Sequence, residues 1–354
     1  MTVTGRSSVL LPRIVLLTIV STAIFLPSWW QPFITNLYSF LYSWSVYNLS
    51  FFETIETLLS YITIEPLYTR QFALNPDRRI DIRDPEWKKK NARSGTSKDH
   101  SPFSPPRPKM MRPSRRLREL FIYVAPLLLL DLILIKKFAG VEVEAIRLSG
   151  GYEANPNSTD ISPYFLAPTL HNFSLESPLQ LHRALPLEPP SSRRLVLELA
   201  VSIAIYDALF FAIHILFHRV PTLHRIHGPH HKHNEIHPQV TNRLSVTERI
   251  TLILLANFAL NIIGSHVLTR TAFVPMFIYL LVEVHSGVDL DWQYDKILPR
   301  GWGAGTVKHA AHHREGKRFF QPFFCWWDDG LEYLEEMMDK NKTKKRNISN
   351  KKAA

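Results

Sequence analysis

The stretch His214–His231, HILFHRVPTLHRIHGPHH, carries six of the chain's sixteen histidines within eighteen residues. A second group stands near the C-terminus in HAAHH, at His309, His312 and His313, and His285 lies between the two in VHSG. On a helix, His214 and His218 (i, i+4) project from one face a turn apart. So do His227, His230 and His231 (i, i+3, i+4), the spacing that aims several imidazoles at one point. A single histidine on an apolar face is ordinarily a satisfied core or surface group. Packing gives no reason to repeat H-x3-H, H-x2-H-H and H-x2-H-H in one chain, whereas neutral imidazole is a common ligand of iron, zinc and copper. The pattern predicts a metal site.

The apolar residues outside these groups fall in blocks. Val9–Leu26 is apolar apart from Arg13 and a few hydroxyls, Leu120–Ile135 has Asp131 as its one charge, and Leu195–Phe217 has only Glu198 and Asp207 as acids. Ile250–Val284 is a long apolar run broken at Gly264–His266, with Arg270 in its middle. Blocks of about 20 apolar residues match the thickness of a bilayer, which predicts a polytopic membrane protein rather than a large soluble core. Pro32–Ile64 is aromatic and contains Glu53 and Glu56, so it reads as a weak span or as a helix lying at the interface. The lone Cys325 excludes an internal disulfide framework and any site built from several cysteines. A net charge of +11 is compatible with nucleic acid. The basic residues, however, gather beside the apolar blocks and in a Pro-rich linker without a nucleic-acid motif, so anionic lipid headgroups and the positive-inside rule explain them better.

Taken in order, residues 1–70 form an N-terminal membrane-inserting region. Pro27-Ser28-Trp29-Trp30 is no small-residue cleavage site, so an uncleaved anchor is expected. Residues 71–119 form a linker, where Lys88-Lys89-Lys90 and Arg115-Arg116 alternate with prolines in a mixture that packs no core and is expected to be disordered and cytosolic. Residues 120–194 supply a span and a polar loop with sequons at Asn157 and Asn172. The span 195–217 returns to the cytosolic side, and 250–284 is long enough for two short helices that dip into the membrane and come back. His285 and HAAHH then emerge on the face that already holds the first two boxes. Residues 195–335 read as the catalytic unit and 336–354 as a basic tail. Lys351 and Lys352 stand where endoplasmic reticulum membrane proteins carry a dilysine retrieval signal.

Asp207 stands seven residues before HILFH, and thirteen residues separate His214 from the first histidine of HGPHH. VHSGVDLDW, KHAAHH and the WWD of Trp326–Asp328 follow. In order and spacing this series resembles the fatty acid hydroxylase and sterol desaturase superfamily, the integral-membrane, histidine-box, non-haem di-iron oxygenases. The resemblance covers about 195–330. The chain departs from it at Ile215 and Lys308, where many members have Arg and His. It departs again at Ser245-Val246, where many have His-Pro, and near Phe319-Phe320, where many have Asn-Tyr.

The resemblance implies an all-α fold in which transmembrane helices are capped by a cytosolic, histidine-rich di-iron domain in the endoplasmic reticulum membrane. It also implies O2-dependent hydroxylation or desaturation of a sterol or related lipid. Zinc has no redox chemistry, and nine imidazoles (His214, His218, His227, His230, His231, His285, His309, His312 and His313) exceed the positions around one ion, which points to two irons. His224, His233 and His237 break the box spacing and read as supporting or solvated groups. His233-Asn234-Glu235-Ile236-His237 is not the H-E-x-x-H of a zinc protease. With no G-x-G-x-x-G and no recognisable haem domain, electrons must come from a partner, and the resemblance implies cytochrome b5 with its reductase. A histidine-rich membrane metal transporter or sensor is the competing reading; its sites belong at mid-membrane depth among charged residues, not at the ends of spans.

Overall fold

The computed structural model describes residues 4–80, 113–150, 169–175, 177–232 and 236–353. Most of the expected linker, the Asn157 sequon and His233 lie outside the described residues. The chain is an all-α membrane protein, with a single antiparallel pair of two-residue strands, Leu134–Ile135 and Thr169–Leu170, among the described residues. Its helices are α1 (Thr4–Phe25), α2 (Pro27–Ser43), α3 (Phe52–Leu74), α4 (Pro113–Ile133), α5 (Val143–Ser149), α6 (Ser192–Arg219) and α7 (Pro221–His227). They continue with α8 (Val246–Ile262), α9 (Val267–Val284), the one-turn α10 (Tyr294–Ile297), α11 (Gly305–Glu315) and α12 (Trp326–Ala353).

Two of these, α6 and α9, are each long and apolar enough to cross a bilayer. Ser191 caps the start of α6 by accepting from the Arg194 amide, and the helix stops at Val220 because Pro221 cannot continue it but can open α7. His266 caps α9 in the same way, accepting from the Leu268 amide. The expected hairpin over 250–284 is therefore present as α8 and α9, turning at Gly264, whose φ is +61°.

The N-terminal third differs from the sequence reading. α1 and α2 form a pair bent by 92° at Leu26, and both pack against α6. Arg13 of α1 donates to the carbonyls of Lys296, Ile297 and Leu298 at one end, while the Ser192 hydroxyl donates to Ala23 O at 2.7 Å at the other. The stretch 32–64 is not one helix, since Trp44 and Leu49–Phe51 break it and Phe52 starts α3 afresh. The reason lies at Glu53, whose carboxylate accepts from Arg270 on α9 at 2.9 and 3.0 Å. A charge that would be costly in lipid is thereby turned inward. The apolar part of α4 is only Phe121–Ile133, shorter than the expected span.

α3 packs along α9 in the same direction, Glu53 beside Arg270 and the Tyr68 hydroxyl donating to Glu283. The main core lies between α6, α8 and α9, where Tyr206, Ala259, Phe273, Val284 and Phe323 are buried together. Just after α9, Gly287 (φ +70°) lets the chain pass under the loop that follows the first two boxes. A Cβ there would sit 2.0 Å from the Ile236 carbonyl oxygen and 3.0 Å from the Phe72 ring. Gly287→Ala is therefore expected to destabilise the protein by roughly 2–5 kcal/mol, combining the left-handed φ with overpacking. Gly301→Ala, at φ +87° but with nothing within 4 Å of its Cβ, carries the φ cost alone and is expected to lose about 1–2 kcal/mol. Equal losses for both in thermal unfolding of the detergent-solubilised protein would refute the close packing at Gly287.

Candidate metal centre

All nine sequence-predicted histidines converge at the end of the bundle where α6 and α9 finish. They form two adjoining groups. His214, His218, His227, His231 and His312 make the first and His230, His285, His309 and His313 the second, with one nitrogen from each member lying within 4.8 Å of the others in its group. The sequence reading that each box aims at a single point is corrected here. Successive residues on a helix point about 100° apart, so neighbours diverge even where i, i+4 partners converge. His227 and His231 face the first group and His230, between them, faces the second. On α11 the pair His309/His313 faces the second group and His312 the first. His231 and His313 stack across the junction with ring centroids 4.5 Å apart.

The nitrogens face one another at the distances that a shared ion requires. Nε2 of His227 lies 3.0 Å from Nε2 of His214 and 2.8 Å from that of His231. Nε2 of His285 lies 3.3 Å from that of His230 and 2.9 Å from that of His309, whose Nε2 is 3.2 Å from that of His313. Two nitrogens at right angles around one ion, each about 2.1 Å from it, stand about 3 Å apart.

The opposite ring nitrogens decide between metal ligation and mutual hydrogen bonding. Nδ1 of His214 donates to Phe320 O at 2.7 Å and Nδ1 of His227 to the Glu248 carboxylate at 2.6 Å. Nδ1 of His285 donates to Leu281 O and that of His312 to Arg318 O, both at 2.7 Å. Those acceptors fix the proton on Nδ1 and leave Nε2 as a bare lone pair. With Glu248 ionised, which burial opposes by pushing its carboxyl up to about 8 and a nearby cation would favour, His214 and His227 oppose lone pair to lone pair at 3.0 Å, an arrangement that a cation between them satisfies and a hydrogen bond cannot. Nε2 of His218 and of His312 are likewise buried without a hydrogen-bond partner. Burial, reinforced by neighbouring imidazoles, pushes His227 down to about 2 and His312 to about 3. It brings His285 to about 4 and holds His230, His309 and His313 well below the usual histidine range. At neutral pH the rings carry no proton that a metal would have to displace.

Supporting residues that the sequence reading left without a role surround the rings. Glu248 sits in the first turn of α8, held by the Ser245 cap, and meets His227 across the site. Its only signal in the sequence is S-x-x-E, which on its own reads as a helix cap. Asp207, four residues before Phe211 on α6, accepts from the amides of Phe323 at 2.8 Å and Phe324 at 3.3 Å and from the Gln321 side chain. Asp328 accepts from the amides of Phe320 and Gln321 at 2.9 Å each. Together these acids fasten the loop whose Arg318 and Phe320 carbonyls orient His312 and His214. Within it Phe319 takes φ 58°, a left-handed conformation that suits the Asn found near this point in the resembled family better than a bulky ring. Lys308, which departs from that family's histidine, donates to Cys325 Sγ at 2.9 Å.

Of the remaining histidines, His224 belongs to neither group, its ring lying 5.9 Å from that of His218. His237 is buried against Phe72, His266 caps α9, and His171 bonds Gln180 and Ser177. Removal of the Glu248 carboxylate in Glu248→Ala is expected to weaken metal retention against a chelator 10- to 100-fold with the fold intact, because His227 loses the group that sets its tautomer. Unchanged metal loss would mean that Glu248 plays no part in orienting the ring.

A family model described as fatty acid hydroxylase matches residues 199–332. Cholesterol 25-hydroxylase of Homo sapiens is 34% identical over 145 residues, 41% of this chain and 53% of its own. The Rattus norvegicus protein of the same name is 33% identical over 148 residues, 42% and 50%. A methylsterol monooxygenase of Aspergillus fumigatus is 27% identical over 147 residues, 39% and 47%. The matched stretch spans about half the length of these relatives. No solved structure matches. Residues 199–332, which contain every histidine of both groups, thus belong to the fatty acid hydroxylase family, within the fatty acid hydroxylase and sterol desaturase superfamily.

Proposed function

We propose that the protein is a membrane-bound di-iron oxidoreductase that uses O2 to hydroxylate, or desaturate, a sterol or related lipid. The observation that carries this reading is the pair of adjoining histidine groups, five and four strong, whose opposed lone pairs call for cations at the end of two membrane-length helices. The first group would hold one iron through His214, His218, His227, His231 and His312. The second would hold the other through His230, His285, His309 and His313. Iron bound there supplies the redox chemistry that activates O2, for which no side chain in the chain suffices and which zinc lacks.

The chain's own residues do the rest. The Nδ1 hydrogen bonds to Glu248, Phe320, Leu281 and Arg318 hold the rings in register. Phe210, whose ring lies 4.8 Å from that of His214, and Phe217, stacked on His227 at 5.5 Å, help keep water from the inner face of the site. The position of both groups at helix ends favours an enzyme over a transporter, whose binding site would stand at the bilayer midplane. In the same reading 195–335 is the catalytic unit, 1–70 and 120–194 are its membrane scaffold, 71–119 is a linker and 336–354 a basic tail. The site faces the cytosol from the endoplasmic reticulum membrane, where cytochrome b5 and its reductase would supply electrons. Lipid analysis of cells with and without the protein is the test. An oxygenated or newly unsaturated sterol or related lipid is expected only in cells that express it, and identical lipid profiles would overturn the reading.

A further inference from the structure

The pattern N-x-S/T occurs five times in the chain, at Asn48, Asn157, Asn172, Asn341 and Asn347. A pattern this short arises by chance, and by itself it selects no position. Asn157 lies outside the described residues, and the fold sets the other four apart. Asn48 is half-buried and its side-chain amide donates to the carbonyls of Tyr42 and Trp44 at 3.3 Å each. The Ser50 hydroxyl that completes its sequon is buried against Gln180 O. Asn341 and Asn347 both stand on α12, which leaves the bundle beside the histidines. Asp328 in the first turn of that helix holds the Phe320 amide, and Glu335 meets Arg219 at the end of α6 at 2.9 Å.

Asn172 is placed differently, at the opposite end of the bundle. The neighbouring His171 amide donates to Ile133 O at the end of α4 at 2.8 Å, and Thr169 pairs with Ile135 in the short ladder. Lys136, next along, meets Asp131 at 2.6 Å and Glu53 at 3.3 Å, and Glu53 accepts from Arg270 in the first turn of α9. His285 comes just after the last turn of the same helix, so about 22 Å separates the two ends, at 1.5 Å per residue from Arg270 to His285. The loop is anchored on both sides of the acceptor. The buried His171 ring lies 3.1 Å from the Gln180 side-chain oxygen and 2.8 Å from Ser177 O, and the Ser177 amide donates to the Ser174 hydroxyl at 3.0 Å. Between these anchors Asn172 and Ser174 are exposed and Leu175 is fully so, and a bulky polar group on Asn172 therefore extends away from the core. An exposed leucine at the end of a membrane bundle also suits a loop resting on lipid, which would shield the acceptor. Such a loop needs no sequon and gains nothing from an exposed Asn172 and Ser174 beside the leucine, which favours modification.

We propose that Asn172 is an N-glycosylation site on the lumenal side of the endoplasmic reticulum membrane, and that Asn48, Asn341 and Asn347 carry no glycan. The inference rests on the reading that the histidine end faces the cytosol, and it adds a covalent modification to the opposite face. In the transfer, Asn172 Nδ2 bonds to C1 of the first sugar of a lipid-diphosphate-linked oligosaccharide while the C1–O bond to the diphosphate breaks. The diphosphate leaves with the bonding electron pair and the amide gives up one proton, so nothing is oxidised or reduced. The transfer takes place on the lumenal face alone. The geometry that admits Asn172 thus excludes α12.

The test expresses the full-length chain in cultured eukaryotic cells and releases glycans with peptide N-glycosidase in heavy-oxygen water, which marks each formerly glycosylated Asn as a labelled Asp. Mass spectrometry should find the label at Asn172 and not at Asn48, Asn341 or Asn347. In an Asn157→Gln background the glycosidase should raise gel mobility by a single step. That step should be lost in Asn172→Gln and in Ser174→Ala and kept in Ser174→Thr, with iron content equal to that of the unaltered protein throughout. Independently, a C-terminal tag should be cut by protease added outside sealed microsomes. An unlabelled Asn172 with an accessible tag would overturn the proposal and leave the cytosolic site standing. Label at Asn172 with a protected tag would leave the modification standing and overturn the cytosolic reading. Label at Asn341 or Asn347 with a protected tag and an unlabelled Asn172 would overturn both.

Discussion

His227→Ala should abolish turnover, by at least about a thousandfold, and should cost the protein metal from the first histidine group. The expectation follows from the central position of this ring. Its Nε2 is within 3.0 Å of two other ligand nitrogens, and its Nδ1 is anchored to Glu248. Alanine removes a ligand and also leaves the Glu248 carboxylate buried without its partner, so neither the ion nor the acid is satisfied. His237→Ala provides the contrast. His237 is equally buried but belongs to neither group, so its variant should keep metal and most activity. Metal content and product formation at matched expression check both variants. Retention of both by His227→Ala, or loss of both by His237→Ala, would show that the ligand set is wrong.

Asp207→Ala carries the second large effect, and it acts at a distance from the ions. Three donors, the Phe323 and Phe324 amides and the Gln321 side chain, converge on this one carboxylate in a fully buried setting. Truncation orphans all three, each worth about 1–3 kcal/mol, and a loss of roughly 3–5 kcal/mol is expected once the loop relaxes. The same loop carries the carbonyls that hold His214 and His312, so metal loss should accompany the drop in thermal stability. A variant with wild-type melting and full metal content would refute the role assigned to Asp207.

The chain shows where sequence reasoning succeeds and where it stops. Histidine spacing was enough to name eight of the nine converging rings, because i, i+4 chelation is a local property of a helix, whereas His285, alone in VHSG, is reached only through the topology that returns it to the same face and through the family resemblance. Their partition into five and four was not legible. It depends on how α11 and the 228–231 turn are rotated against α6, and that is set by distant contacts such as Tyr294 accepting from the Gly305 amide and donating to Phe323 O. The hairpin 250–284 was readable from its Gly264 break, but the division of 32–64 was not. Its cause is Arg270, 217 residues along the chain from the Glu53 it pairs with. Glu248 was hidden for a related reason. In the sequence it looks like one half of a helix cap, and only the fold reveals that its carboxylate turns away to His227.

Metal analysis of the intact protein, purified gently in detergent, bears most directly on the two-group centre. Two irons per chain are expected, falling on His227→Ala and unchanged on His237→Ala. Stoichiometric zinc that supports turnover, or a single iron in fully active protein, would contradict it.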